Sequence, residues 1–134
     1  MQTISPWFFP IDYRRLTHEL ILSNAIEDRG SRYTISAFPL LHLDAVQRLV
    51  AACDPEATHN SFAWRILQTD GTVFQDCDDD GETGAGACIL RELVRYQAVD
   101  LLLIVTRYFW WVKLETDRYK HIVDGCRMVL ERIS

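Results

Sequence analysis

The sequence predicts an α+β fold, a mixed or antiparallel sheet with helices packed on one face. Segments of period-two alternation punctuated by turn residues give at least five strands, and only three segments carry helical spacing. Their order is hairpin, helix, hairpin, helix, strand, helix, which is not the regular strand-helix alternation of a doubly wound parallel sheet. The chain of 134 residues makes room for one ordinary domain. With 49% hydrophobic and 25% charged residues its composition is globular rather than disordered.

Taken in order, Trp7, Phe8 and Phe9 lie between Pro6 and Pro10 and read as a strap packed onto a core. Residues 1–25 are therefore expected to form an N-terminal strap or extension, and residues 26–134 the core domain. Leu20, Leu22 and Ile26 fall on one side of a strand. Asp28, Arg29, Gly30 and Ser31 supply turn chemistry, and Tyr33, Ile35 and Ala37 resume the alternation, so a hairpin is predicted. A helix over residues 12–25 is the alternative, because Leu16, Leu20 and Asn24 also sit at helical spacing. Asp44, with Gln47 three residues on, is placed to cap a helix whose Val46, Leu49, Val50 and Cys53 repeat as i, i+3, i+4, i+7. Asp54 and Pro55 stop it. Residues 61–68 are rich in aromatic and branched side chains, and Asp70-Gly71 signals a hairpin return through Val73 and Phe74. Gly84 and Gly86 loosen the start of a second helix with Ile89, Leu90, Leu93 and Val94 as its buried face. Residues 101–108 form an apolar run expected of a strand covered on at least one face by helices. In the last helix Tyr119, Ile122, Val123, Cys126, Leu130 and Ile133 make the apolar stripe, Thr116 and Asp117 are available as caps, and Gly125 costs about 1 kcal/mol as a mid-helix glycine.

Charge and length exclude several function classes. Fourteen Lys and Arg against nineteen Asp and Glu give a formal net charge of −5. Such a chain repels polyphosphate on average, so generic nucleic-acid coating is disfavoured. The longest apolar runs, residues 101–105 and 108–112, fall far short of the roughly 20 residues that a membrane span needs. The first ten residues lack the basic, apolar and small-residue regions of a secretion signal. Cys53, Cys77, Cys88 and Cys126 stand too far apart for a CxxC pair and are expected to be free, mostly buried thiols.

Chemistry-bearing residues concentrate in a few places. Asp76, Asp78, Asp79, Asp80 and Glu82 crowd five carboxylates into seven residues just before the second helix. Asp76, Asp78, Asp80 and Gly81 match the opening of a calcium loop, but Ala87 occupies the position where a bidentate Glu belongs. The simpler reading is a capped, solvated turn, since the helix N-terminus favours nearby carboxylates by roughly 0.3 to 1 kcal/mol each. No metal and no cofactor are expected. Gly84 and Gly86 lack the Lys-Ser/Thr of a phosphate loop and the third glycine of a dinucleotide fingerprint. His59 could serve as an acid-base group only with a partner such as Asp79 or Glu82 within hydrogen-bond reach, and a loop-holding role is the plainer one. Trp110 and Trp111 close an aromatic cluster bracketed by Arg107 and Lys113. Adjacent rings cannot both point inward from one strand, so an interface, self-association included, is expected there. Ribosome or RNA contact through Arg107, Lys113, Arg118 and Lys120 is a further reading.

These segments, in this order, resemble the IMPACT family of translation regulators, related to the bacterial YigZ-like proteins. The resemblance is carried by Asp28-Arg29 with Ser31, by Ala57-Thr58-His59-Asn60 with Ala63 and Arg65-Ile66, and by Gln75-Asp76-Cys77. It continues through Asp79-Asp80-Gly81-Glu82-Thr83 with Ala85-Gly86, Val105 with Arg107 and Tyr108, and Asp117-Arg118-Tyr119-Lys120-His121-Ile122. It departs at Trp110-Trp111, where the family usually has two glycines, and at Glu115-Thr116, where it has Gly-Pro. The resemblance implies a fold like the second domain of ribosomal protein S five. It also implies non-enzymatic control of translation, by binding the ribosome-associated activator of the kinase that phosphorylates initiation factor two, with an association with actin besides. His59, Asn60, Asp79, Asp80, Glu82 and Arg107, joined by Trp110 and Trp111, are carried over as a candidate binding surface. Residues 1–25 are expected to be too few to hold the RWD domain of the eukaryotic relatives, and no counterpart of the ferredoxin-like domain of the bacterial ones is expected in this sequence. A cytoplasmic setting follows from the same likeness.

Overall fold

The chain runs β1 (Ile21–Leu22), β2 (Ile26–Asp28), β3 (Ser31–Pro39), α1 (Ala45–Ala51), β4 (His59–Leu67), β5 (Val73–Asp78), α2 (Ala85–Arg95), β6 (Leu101–Phe109) and α3 (Asp117–Arg132). This is seen in a computed structural model that describes residues 21–22, 25–109 and 117–134. Every strand pairing is antiparallel, and the sheet order is β1-β3-β6-β4-β5, with β2 following β1 along the same edge of β3. The predicted strap and Trp110-Trp111 lie outside the described residues, as does most of the alternative helix over residues 12–25. Ile21 pairs with Ala37 and Leu22 with Ser36, so the sheet takes up chain N-terminal to position 26.

β6 is the centre of the sheet because it is apolar at both parities. Leu101, Leu103 and Val105 point to one face, Leu102 and Ile104 to the other, and all five are buried. The α+β class is as predicted, but the helices do not all share a face. The first set packs with Tyr33, Ile35, Ala37 and Ala63 against α2 and α3. Leu102 and Ile104 form a second core with Trp64, Ile66 and Val46 of α1, and Leu49 and Val50 pack on its margin. Two apolar faces need two covers, so α1 lies opposite the other helices.

Both predicted hairpins form. Asp28 pairs with Ser31 across Arg29 and Gly30, whose φ angles of 46° and 82° give the left-handed pair that a two-residue hairpin turn requires. The second hairpin is looser than Asp70-Gly71 led us to expect. Leu67 pairs with Val73, leaving residues 68–72 as the loop, and Asp70 Oδ1 accepts from Thr72 N at 2.9 Å and Thr72 Oγ1 at 2.6 Å.

The helices also differ in detail from their sequence patterns. Asp44 is itself in helical conformation and makes no side-chain capping bond. α1 instead grows out of a preceding turn, with Ala45 N donating to His42 O and Val46 N to Leu43 O, each at 3.2 Å. In α2, Ile89 and Leu93 are fully buried, but Val94 is 44% exposed, and Glu92 takes a place on the buried face. Arg127 Nε on α3 donates to Glu92 Oε2 at 3.3 Å, which compensates the charge and ties the two helices together. The glycine in α3 has a packing reason: a Cβ on Gly125 would stand 2.1 Å from Ile35 Cδ1. All four cysteines are free, Cys88 and Cys126 buried and the others half-buried. Burial pushes every one of these thiols up. Among the described residues no helix is long and apolar enough to cross a membrane.

The β2–β3 turn is fastened to the start of α3. Arg29 pairs with Asp28 at 3.1 Å and with Asp117, while His121 Nε2 donates to Asp28 Oδ2 at 2.8 Å. The Arg29 and His121 hydrogen bonds hold the Asp28 carboxyl down at about 2. A carboxylate depressed on folding adds stability above its unfolded value and loses it as the pH falls. Urea titrations should therefore show the chain losing stability between about pH 4 and pH 2 with a steeper slope than Asp28→Asn, which lacks this contribution. Gly125→Ala should destabilise by about 1 to 3 kcal/mol, the overpacking range, because fully buried Ile35 must shift within the core to admit the methyl group. Urea denaturation at neutral pH measures it.

Candidate functional site

The acidic turn between β5 and α2 is built from its own carboxylates. Asp79 caps α2, accepting from Gly84 N at 3.0 Å through Oδ2 and from Gly86 N at 2.8 Å through Oδ1. These are among the amides that a helix start leaves without partners. Gly86 has to be glycine, because a Cβ there would lie 2.9 Å from the Asp78 backbone, so α2 starts in direct contact with the end of β5. Asp78 Oδ1 accepts from Asp80 N at 2.8 Å, and Asp76 Oδ1 from Cys77 N at 2.8 Å. The backbone then bends through Asp80 and Gly81 at φ 45° and 83°.

The start of β4 holds this turn from the side. His59 Nδ1 donates to the Asp80 carbonyl at 2.7 Å, which places its proton on Nδ1. Asn60 N donates to Asp80 Oδ2 at 2.6 Å, and Ser61 Oγ to the Asp79 carbonyl at 2.8 Å. The Asn60 side chain reaches the other way, donating to Asp54 O at 3.2 Å and accepting from Thr106 Oγ1 at 2.8 Å. One short stretch thus ties the α1–β4 loop, β6 and the acidic turn together.

Glu82 and Arg107 sit beneath the turn and not on its surface. They are 2% and 5% exposed and form an ion pair through Arg107 Nη1 and Glu82 Oε1. Arg107 Nη2 donates to Ser31 Oγ at 3.2 Å. Its guanidinium lies between two rings, 5.1 Å from the centroid of Tyr33 and 5.2 Å from that of Phe109. Burial pushes the Tyr33 phenol well above its ordinary range. Tyr33 Oη, Glu82 Oε2, Arg107 Nε and Arg118 Nε are buried in the same region with no hydrogen-bond partner among the described residues. From α3, Tyr119 Oη donates to the Thr83 carbonyl at 2.8 Å and accepts from Arg118 Nη2 at 2.8 Å.

The sequence-predicted residues therefore divide. His59, Asn60, Asp79 and Asp80 come together as one hydrogen-bonded unit at the surface. Glu82 and Arg107 support it from inside, which corrects their assignment to a binding face and removes Arg107 as an RNA contact. A charge in the middle of a buried strand must be paired, and the position of Arg107 inside an apolar run is the signal that could have revealed this. Ser31, Tyr33, Thr106 and Tyr119 carried no comparable signal. Trp110, Trp111 and Lys113 lie outside the described residues. The acid-base arrangement is not made: His59 bonds to a carbonyl, Asp79 is engaged by two amides and Glu82 by Arg107. Nor do the acids converge on a common point, and among the described residues no three of the His, Cys, Asp or Glu side chains are arranged to hold a metal ion.

A sheet of this order, with two helices on one face, one on the other and a carboxylate-capped turn leading into α2, defines an α+β domain that recurs elsewhere. A crystal structure of a hypothetical protein shares it at a TM-score of 0.75 and 24% identity, over 84% of this chain and 58% of that one. Residues 29–130 match the Impact N-terminal domain, and the chain belongs to that family. Protein IMPACT of Rattus norvegicus is 33% identical over 111 residues, 78% of this chain. The IMPACT homolog of Schizosaccharomyces pombe is 31% identical over 127 residues, 91% of this chain. The structure of the two-domain translational regulator Yih1 superposes at a TM-score of 0.60 with 30% identity, covering 87% of this chain and 47% of that one. This chain spans 35% of the rat protein and 43% of the S. pombe one, so it corresponds to less than half the length of these curated relatives.

Removing one member of a buried ion pair leaves the other uncompensated, at about 3 to 5 kcal/mol. Glu82→Ala should lose stability on that scale in urea denaturation. Combined with Arg107→Met, the loss should be clearly smaller than the sum of the single losses, and a double-mutant cycle measures the difference.

Proposed function

We propose that this domain regulates translation by binding a protein, without catalysing a reaction. The observation that carries the reading is the likeness over 87% of the chain to the translational regulator Yih1, at 30% identity. Within that reading, the domain competes for the ribosome-associated activator of the kinase that phosphorylates initiation factor two, and so keeps that kinase inactive under stress. An acidic, hydrogen-bonded surface supports a binding role: Asp80 and Thr83 are exposed, with His59, Asn60 and Asp79 half-buried behind them. The engagement of His59, Asp79 and Glu82 within the turn supports binding over acid-base chemistry. Actin is a further partner on the same footing, and the cytoplasm is the setting.

In a reconstituted assay, adding the domain should lower activator-dependent phosphorylation of initiation factor two, and immobilised domain should retain the activator. Asp80→Asn keeps the acceptor for Asn60 N but removes an exposed charge. It should weaken retention by up to about fivefold, the scale of an exposed charge pair, with the thermal midpoint unchanged. Undiminished phosphorylation at saturating domain would exclude the proposed role.

A further inference from the structure

Among the described residues, the face of the sheet that α1 covers is left open on the side of β5. There, a groove of about 420 Å³ runs between the start of α1 and the β4–β5 hairpin. Val46, Phe62 and Trp64 line its apolar part, and Cys77, whose side chain packs in the core on the other face, borders it through the backbone between Asp76 and Asp78. The register pairs Phe62 with Asp78 and Trp64 with Asp76, so each ring on β4 has a carboxylate directly beside it on the same face. Leu43 and Asp44 line the opposite side. Leu43 is 52% exposed, and Phe74, the next β5 residue on this face, is 53% exposed, so the apolar strip continues past the groove along the hairpin. Exposed apolar surface of this kind, rimmed by polar groups, marks an interaction site.

The charge of the groove selects the occupant. Among the described residues, Asp44, Asp76 and Asp78 are the charged residues that line it, on both sides of the apolar strip, and no Lys or Arg lines it. Asp44 is not spent on the α1 cap, and among the described residues the Asp76 side chain takes only the adjacent Cys77 amide. Three carboxylates around apolar side chains repel one another unless a cation meets them. We propose that this groove docks a basic peptide segment of a partner protein, with an apolar anchor between Phe62 and Trp64 and flanking Arg or Lys on Asp76, Asp78 and Asp44. The groove lies on the opposite side of the sheet from α2 and α3, and the proposal does not rest on a role in translation.

The full chain, labelled with nitrogen-15, would be titrated with a synthetic peptide of leucines flanked by arginines, and with the same peptide carrying glutamates for arginines. The arginine peptide should shift the amides of Val46, Phe62, Trp64 and Cys77 saturably, and the glutamate peptide should not. Raising salt should weaken the effect. Asp76→Asn with Asp78→Asn, which keeps the acceptors for Cys77 N and Asp80 N, should reduce affinity by about tenfold without changing the thermal midpoint. Absence of saturable shifts, an equal response to both peptides, shifts confined to residues 79–84, or unchanged affinity in the double variant would each overturn the proposal. So would two findings in the free chain: nuclear Overhauser contacts from Trp7, Phe8 or Phe9 to Trp64, or groove shifts that follow protein concentration. These would assign the groove to the chain's own N-terminal segment or to a second copy.

Discussion

The ion pair between Arg107 and Glu82 is the constraint on which the rest of the candidate site depends. Arg107 stands opposite both Tyr33 on β3 and His59 on β4, so a single guanidinium is in register with three strands. Taking it out of water costs several kcal/mol, and the structure offsets this with the Glu82 carboxylate, the Ser31 hydroxyl and two aromatic faces. Glu82 lies three residues before α2. Fixing its side chain under the sheet end fixes the segment in which Asp79 can reach back to the helix amides, and it brings Asp80 within bonding distance of His59 and Asn60.

The chain's acidity thus has two destinations. Asp79 and Glu82 are consumed internally, one by amide dipoles and the other by a buried cation. Asp76 and Asp78 flank half-buried Cys77 on β5 and remain exposed on the α1 side. Neighbours in sequence, these carboxylates do different physical work because a strand reverses the direction of its side chains at every residue while the turn after it follows no such rule.

Much of the fold was legible in the sequence because it rests on periodicity. The alternation of Tyr33, Ile35 and Ala37, the turn residues at Arg29 and Gly30, and the α3 stripe from Ile122 to Leu130 each specify local geometry without outside help. The position of α1 was misjudged, although Leu102 and Ile104 carried the information: a strand apolar at both parities needs cover on both sides. The Asp44 cap failed because a good capping residue can be bypassed when the preceding turn already supplies the first hydrogen bonds. In the candidate site, the proximity of His59, Asn60, Asp79 and Asp80 was anticipated only as membership of one surface. The burial of Glu82 was invisible locally, since it stands in a run of acids that reads as solvated and is removed from water only by a residue 25 positions further on.

The place of β6 in the sheet has a consequence for how the chain reaches its structure. The two hairpins are complete in sequence by residue 78, yet β3 and β4 share no hydrogen-bonded edge, and β6 comes between them. The strand that joins them is the last to emerge during synthesis. Its two flanks must wait for each other, with loop-closure entropy unfavourable before the central apolar row is buried. Until then Leu102 and Ile104 have no strand neighbours and no α1 cover, and the hairpins carry unpaired inner edges. Among the described residues β6 is thus the strand that joins the two hairpins into one sheet, and without it β3 and β4 share no hydrogen-bonded edge.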